Sequence, residues 1–225
     1  MGQIVAQEKI VIPGQIVAEG MDYLPSKGTF REGERIISTV TGILKVEGRL
    51  VNIIPLKAQY IPKEGDMVIG AVAEINFSGW QVEIGSAYPA NLSLKDATSE
   101  FIERDADLTK YYDFDDLLFA KITKTVRSKV IDLTMRAPGT RKLGPGRILR
   151  VNSARVPRII GKQGSMIALL KEKTNCTIIA GQNGRIWIKG ENIEDETKAE
   201  QAVLKIEQEA HTEGLTEKMQ EYLEK

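Results

Sequence analysis

The chain has 225 residues, and its 31 Lys plus Arg balance 31 Asp plus Glu to a formal net charge of zero. With 42% hydrophobic and 28% charged residues, it has ordinary globular usage, which excludes a collagen-like chain, a wholly disordered chain or a uniformly basic nucleic-acid coat. A lone cysteine, Cys176, and a lone histidine, His211, exclude an intrachain disulfide and leave too few ligands for a structural zinc, so the expectation is a reducing, cytoplasmic setting without metal or cofactor.

Residues 1–58 read as β. Val11-Ile12-Pro13-Gly14 is a short strand and turn, and Gly28, Gly33, Gly42 and Gly48 punctuate the stretch. The β-branched runs Ile36–Val40 and Leu50–Ile54 lie between them, and no long helical period is present. A small all-β barrel or sandwich is expected, and with no chemical motif in it the default role is docking.

Residues 59–136 read as a second β unit. The turn Pro62–Asp66 opens a strand from Met67 to Ile75, and Gln81–Ile84 alternates at period two after the loop Asn76–Trp80. Strands follow at Ala90–Leu94, Leu117–Val126 and Val130–Met135, with a polar, partly helical insertion after the third. Five short strands with that insertion suit an OB-fold barrel, whose loops after strands one and four are the usual oligonucleotide contacts. The first loop offers Phe77 and Trp80, and Trp80 fits either a stacking platform or core packing. The second offers Arg127 and Lys129, with Lys121 and Lys124 on the strand leading in. His211 reads as a solvated helix residue, and no apolar run approaches the ~20 residues of a membrane span.

Residues 137–145 are rich in Pro and Gly and read as a linker. Residues 146–212 then read as α+β in the order strand, helix, helix, strand, strand, helix, with residues 213–225 as a terminal helix. Pro157 suits a helix first turn, and Gln182-Asn183-Gly184 is a hairpin signal. Between the first two helices lies Arg158-Ile159-Ile160-Gly161-Lys162-Gln163-Gly164-Ser165. A Gly-x-x-Gly loop lets the backbone approach a phosphodiester, the next helix's N–H groups favour the anion, and Lys162 adds charge. Ile159, Ile160 and Ile167 can form an apolar floor for bases. This is the logic of a KH domain, which clamps about four nucleotides.

The zero net charge conceals a segregation. Residues 137–189 hold eleven basic and one acidic residue, while residues 61–136 carry a net −4 and residues 190–225 a net −7. A basic block of this kind attracts a phosphate backbone, although part of it is expected to pair with the acidic C-terminal helix. The carboxylates Asp113, Asp115 and Asp116 could hold magnesium for phosphoryl transfer, but they precede a strand without a phosphate cradle and read better as a solvated turn.

Val11–Gly14, the stretch YIPKEGDMVIG at 60–70, VPRIIGKQGSMI at 156–167 and GQNGRIW at 181–187 together resemble the RNA-binding cap subunits of the archaeal exosome, and the resemblance runs in order along nearly the whole chain. It implies a non-catalytic chain whose β domain docks on a hexameric ring of phosphorolytic subunits, as three caps to a ring or mixed with a related cap protein. It implies capture of single-stranded RNA 3′ ends, which the OB and KH units guide to active sites on other chains, with no membrane partner. The alternative is a free-standing OB/KH regulator of transcription or translation. Bacterial antitermination factors of that kind carry two KH domains, and one is counted here.

Overall fold

The computed structural model describes residues 3–4, 10–56, 59–103, 106–126, 130–210 and 214–223. The chain divides into two compact units, Met1–Ala58 and Gln59–Lys225.

In the first unit the described strands are β1 (Gln3–Ile4), β2 (Ile10–Val11), β3 (Ile16–Glu19), β4 (Leu24–Pro25), β5 (Thr29–Glu32), β6 (Arg35–Ser38), β7 (Gly42–Glu47) and β8 (Leu50–Pro55). They form two sheets, ordered β1-β3-β6-β5 and β2-β7-β8-β4. Val11, Val17, Ile36, Val51 and Ile53 come from both sheets and fill one core, so the unit is a small sandwich. Its strands are too short to bury more, and Ile10, Ile12, Met21, Leu24 and Phe30 remain exposed.

The second unit opens with a closed five-strand barrel. Its strands are β9 (Met67–Asn76), β10 (Gly79–Glu83), β11 (Ala90–Ser93), β12 (Leu117–Thr125) and β13 (Ile131–Thr134). The order β13-β11-β10-β9-β12 closes through a β12–β13 pairing. Alternation sends Leu118, Ala120 and Ile122 of β12 inward to meet Val68, Val72, Val82 and Leu133. The insertion holds α1 (Leu94–Ala97) and a 3₁₀ turn at Leu108–Lys110, shorter helical pieces than the sequence suggests. The stretch expected to be a linker contains β14 (Arg141–Leu143), which pairs with the start of β12, Leu117 facing Leu143.

The KH unit follows as β15 (Arg147–Arg150), α2 (Val156–Ile160), α3 (Ser165–Thr174), β16 (Thr177–Ala180), β17 (Arg185–Lys189), α4 (Ile193–Glu209) and α5 (Leu215–Leu223). The antiparallel sheet runs β15-β17-β16. Successive β17 side chains take opposite faces. Ile186 and Ile188 meet Leu170, Ala199, Val203 and Ile206 of the helices. Trp187 faces the other way, with Ile179, toward Ile69, Leu143, Leu117 and Phe119 of the barrel. Leu215, Met219 and Leu223 of α5 complete the helical core, and Lys198 Nζ donates to the Leu223 carbonyl at 3.0 Å, supplying a cation at that helix C-terminus.

Candidate nucleic-acid interface

The glycine loop stands out of the KH unit as a solvent-facing tip. α2 ends where the Gly161 N–H donates to the Pro157 carbonyl at 3.0 Å, and Gly161 leaves the helix at φ 78°, ψ 173°. Gln163 and Gly164 then take left-handed conformations, and α3 starts at Ser165. The two glycines have different reasons to be there. A Cβ on Gly161 would sit 2.6 Å from the Met166 nitrogen, so folding itself forbids a side chain. A Cβ on Gly164 would meet nothing closer than Ile167 at 3.9 Å, so its openness leaves the backbone approachable by a ligand. Arg158, Lys162, Gln163 and Ser165 are exposed. Neither Arg158 nor Lys162 has an ion-pair partner among the described residues. Ile160 and Ile167 are half-buried beside the loop, whereas Ile159 is fully buried in the helical core and offers no floor to a base.

The basic block is partly neutralised. Arg147 pairs with Glu200 and, at 3.9 Å, with Glu196 of α4; Lys142 pairs with Asp116; Arg185 pairs with Glu83. The loop cations are outside these pairs, so local positive potential survives where the glycine tip is exposed.

On the barrel, Phe77 is 91% exposed at the β9–β10 turn, the geometry of a stacking platform. Lys124 is exposed on β12. A cleft of about 690 Å³ next to the β9–β10 turn is bordered by Asn76, Trp80, Asn91, Thr123, Lys124 and Asp132. Trp80 takes the core alternative: it is 2% exposed, its Nε1 donates to the Tyr112 carbonyl at 2.8 Å, and the two rings meet edge-on at 5.3 Å. Almost all of its surface is used inside the barrel, and only a sliver of it reaches the lining of that cleft, too little to stack a base. Arg127 and Lys129 lie outside the described residues, as does His211.

Comparison with known proteins follows the same order along the chain. Residues 8–57 match the Exosome RNA binding protein RRP4 N-terminal domain, residues 59–124 the RRP4 S1 domain, and residues 146–194 a KH domain. The exosome complex component Rrp4 of Pyrococcus abyssi is 43% identical over 222 residues, covering 97% of this chain and 83% of the relative. That of Methanothermobacter thermautotrophicus is 40% identical over 222 residues, covering 99% and 70%. The chain belongs to the Rrp4 family of exosome components. A crystal structure of an exosome complex RNA-binding protein superposes with a TM-score of 0.67 at 33% identity, covering 74% of this chain and 96% of that one.

Sequence reasoning read Gln182-Asn183-Gly184 of this Rrp4 family member only as a hairpin and missed what the hairpin does. The turn lies along the part of β9 that β10 does not reach, since the β10 ladder ends at Glu83 opposite Ala71. Gln182 N–H donates to the Met67 carbonyl at 2.8 Å, and Met67 N–H donates to Gln182 Oε1. Two residues on, Ile69 N–H donates to Asn183 Oδ1 at 3.2 Å, and Asn183 Nδ2 donates to the Ile69 and Ile84 carbonyls at 2.7 Å each. The side-chain amide acts as one peptide unit of a missing strand. Arg185 adds a bond to the Glu83 carbonyl at 2.9 Å and an ion pair to its carboxylate. Burial pushes the Glu83 carboxyl up, but Arg185 and the Gly85 N–H outweigh it and hold the group below its ordinary value. The overlooked signal was Ile186-Trp187-Ile188: three consecutive large apolar residues in a strand require cover on both faces.

Asp113, Asp115 and Asp116 build a turn. Asp116 Oδ2 accepts from the Asp113 N–H at 2.7 Å and pairs with Lys142, Asp113 Oδ1 accepts from the Phe114 N–H at 2.8 Å, and Asp115 adopts φ 62°. The Asp113 and Asp116 carboxylates thus hold the turn that leads into β12.

Proposed function

We propose that this chain is a non-catalytic RNA-binding cap subunit of an exosome, which captures single-stranded RNA 3′ ends and passes them into a hexameric phosphorolytic ring, three caps to a ring, in the cytoplasm. The observation that carries the reading is the exposed glycine loop with Arg158 and Lys162, which have no ion-pair partner among the described residues, fixed on the same unit as a barrel that presents Phe77 and Lys124. Such a surface binds backbone phosphates and stacks bases without selecting a sequence, which is what a feeder of varied transcripts needs. Membership of a family of exosome components favours the cap over a free-standing regulator. The exposed Ile10, Ile12, Met21, Leu24 and Phe30 of the first unit supply apolar surface for docking on the ring. Among the described residues no helix is long and apolar enough to cross a membrane.

The test is binding of the full chain to labelled single-stranded RNA, with Gly164→Asp and Lys162→Gln as loop variants. Gly164 is the informative glycine, since replacing Gly161 would disturb the fold. The expected result is a steep salt dependence and weaker binding by both variants, while Gly164→Asn, which tolerates a left-handed backbone without adding charge, loses less. Unchanged affinity in both Gly164→Asp and Lys162→Gln would overturn the loop as an RNA contact. Reconstitution with phosphorolytic ring subunits tests the assembly: a chain that stays free of the ring but binds RNA polymerase would reverse the choice between cap and regulator.

A further inference from the structure

The barrel carries a second cleft that the loop-side reading does not use. β12 pairs with β13 through Lys121 opposite Thr134 and Ile122 opposite Leu133, and then the register shifts so that Lys124 faces Asp132. Thr123 is the extra residue of this β-bulge, and its hydroxyl donates to the Asp132 carbonyl at 3.1 Å. The bulge breaks the strand's alternation. Ile122 points into the core, while both Thr123 and Lys124 are exposed. Thr123 consequently borders two clefts at once: the one beside Phe77 and a neighbour of about 620 Å³ edged by Glu64, Lys121, Thr134 and Arg136.

The neighbour is equipped for phosphate. Among the described residues the Lys121 ammonium has no ion-pair partner, and the Arg136 guanidinium has none either, donating to the Lys95 carbonyl at 3.4 Å. Among the described residues that line it, Glu64 is the one acidic side chain, against the two cations Lys121 and Arg136. The loop-side cleft is different in kind: its Asp96 accepts from the Ser93 hydroxyl at 2.7 Å, and its Asp132 sits across the ladder from Lys124. Lys121 and Lys124 are three residues apart on one strand, about 10 Å, so a single extended nucleic-acid backbone can run past both.

We infer that single-stranded RNA bound at the Phe77 face continues over the Thr123 bulge into this second cleft, where Lys121 and Arg136 hold its phosphates. The inference rests on the RNA-binding reading above and lengthens the track on the barrel beyond the loop face. Glu64 opposes the phosphates and sets the strength of the hold.

The experiment measures binding of oligouridylates of graded length, from about four to sixteen nucleotides, to the full chain. The arms are wild type, the double variant Lys121→Gln/Arg136→Gln, Glu64→Gln and Phe77→Ala, each with its urea midpoint recorded to show that the fold is intact. The double variant should bind the shortest oligonucleotide as wild type does and lose affinity only for longer ones. Two lost phosphate contacts should flatten the salt dependence by about 1.4 logarithmic units per decade of salt, so that wild type loses about sevenfold more affinity than the variant between 50 and 200 mM salt. Glu64→Gln should tighten binding of the long oligonucleotides, and Phe77→Ala should weaken every length. Wild-type affinity of the double variant for long RNA, or an equal loss at every length, would overturn the second cleft while leaving the Phe77 face in place. A wild-type chain that binds no length would overturn the RNA reading and this inference together.

Discussion

Replacing Asn183 with alanine removes a side chain that is 8% exposed and makes three hydrogen bonds across the junction of barrel and KH unit. At about 1 kcal/mol net for each bond, the loss is about 3 kcal/mol, and more if the Ile69 and Ile84 carbonyls stay dry, since a buried unpaired group costs about 1–3 kcal/mol. Asn183→Asp separates the hydrogen bonds from simple volume. The carboxylate keeps an acceptor for the Ile69 N–H but turns the donor into an anionic oxygen facing two carbonyls that now lie 2.7 Å away. The aspartate variant should therefore be less stable than the alanine variant, although it is nearly the same shape as wild type. Urea unfolding gives the order of stabilities, and hydrogen exchange gives the location: the Met67 and Ile69 amides should lose protection before the rest of the barrel. An aspartate variant within about 0.5 kcal/mol of wild type would refute the amide's role as a stand-in strand, because no shape argument predicts its loss.

Further outcomes follow from the same contacts. The depressed Glu83 group contributes stability that is fully present above its unfolded value, near the ordinary 4.5, and is lost as pH falls through its lower folded value. Glu83→Gln should thus be less stable than wild type at neutral pH and converge with it in acid, as followed by urea midpoints across pH; a constant difference would remove the charge from the account. Phe77→Ala should change stability by no more than about 0.5 kcal/mol while weakening single-stranded RNA binding by about 1–3 kcal/mol, read by anisotropy. Trp80→Ala should behave in the opposite sense, costing about 3–5 kcal/mol of stability, with Trp80→Phe retaining RNA affinity once folded.

Local chemistry determined much of this protein. The period-two runs of the barrel, the helix start at Pro157, the Asn-Gly hairpin and the Gly-x-x-Gly loop depend on residues a few positions apart, so the strand and helix order was legible from the chain, and the charge segregation located the loop cations. Tertiary structure decided what those elements face. Phe77 and Trp80 are three residues apart on one hairpin, yet one is solvated and the other lies against Tyr112, because only the closed barrel fixes which side of the turn is inside. Ile159 and Ile160 are adjacent, and the packing of α3 and α4 alone decides which is consumed by the core. The bulge at Thr123 is a mismatch between two paired strands and has no signature in either alone. The Gly181–Gly184 turn seats its amide on β9, more than a hundred residues earlier, to satisfy backbone groups that β10 is too short to reach. The cancelled charges divide in the same way: composition shows that eleven cations cluster, and only the fold shows that Arg147, Lys142 and Arg185 are held by carboxylates while Arg158 and Lys162 face solvent without one among the described residues.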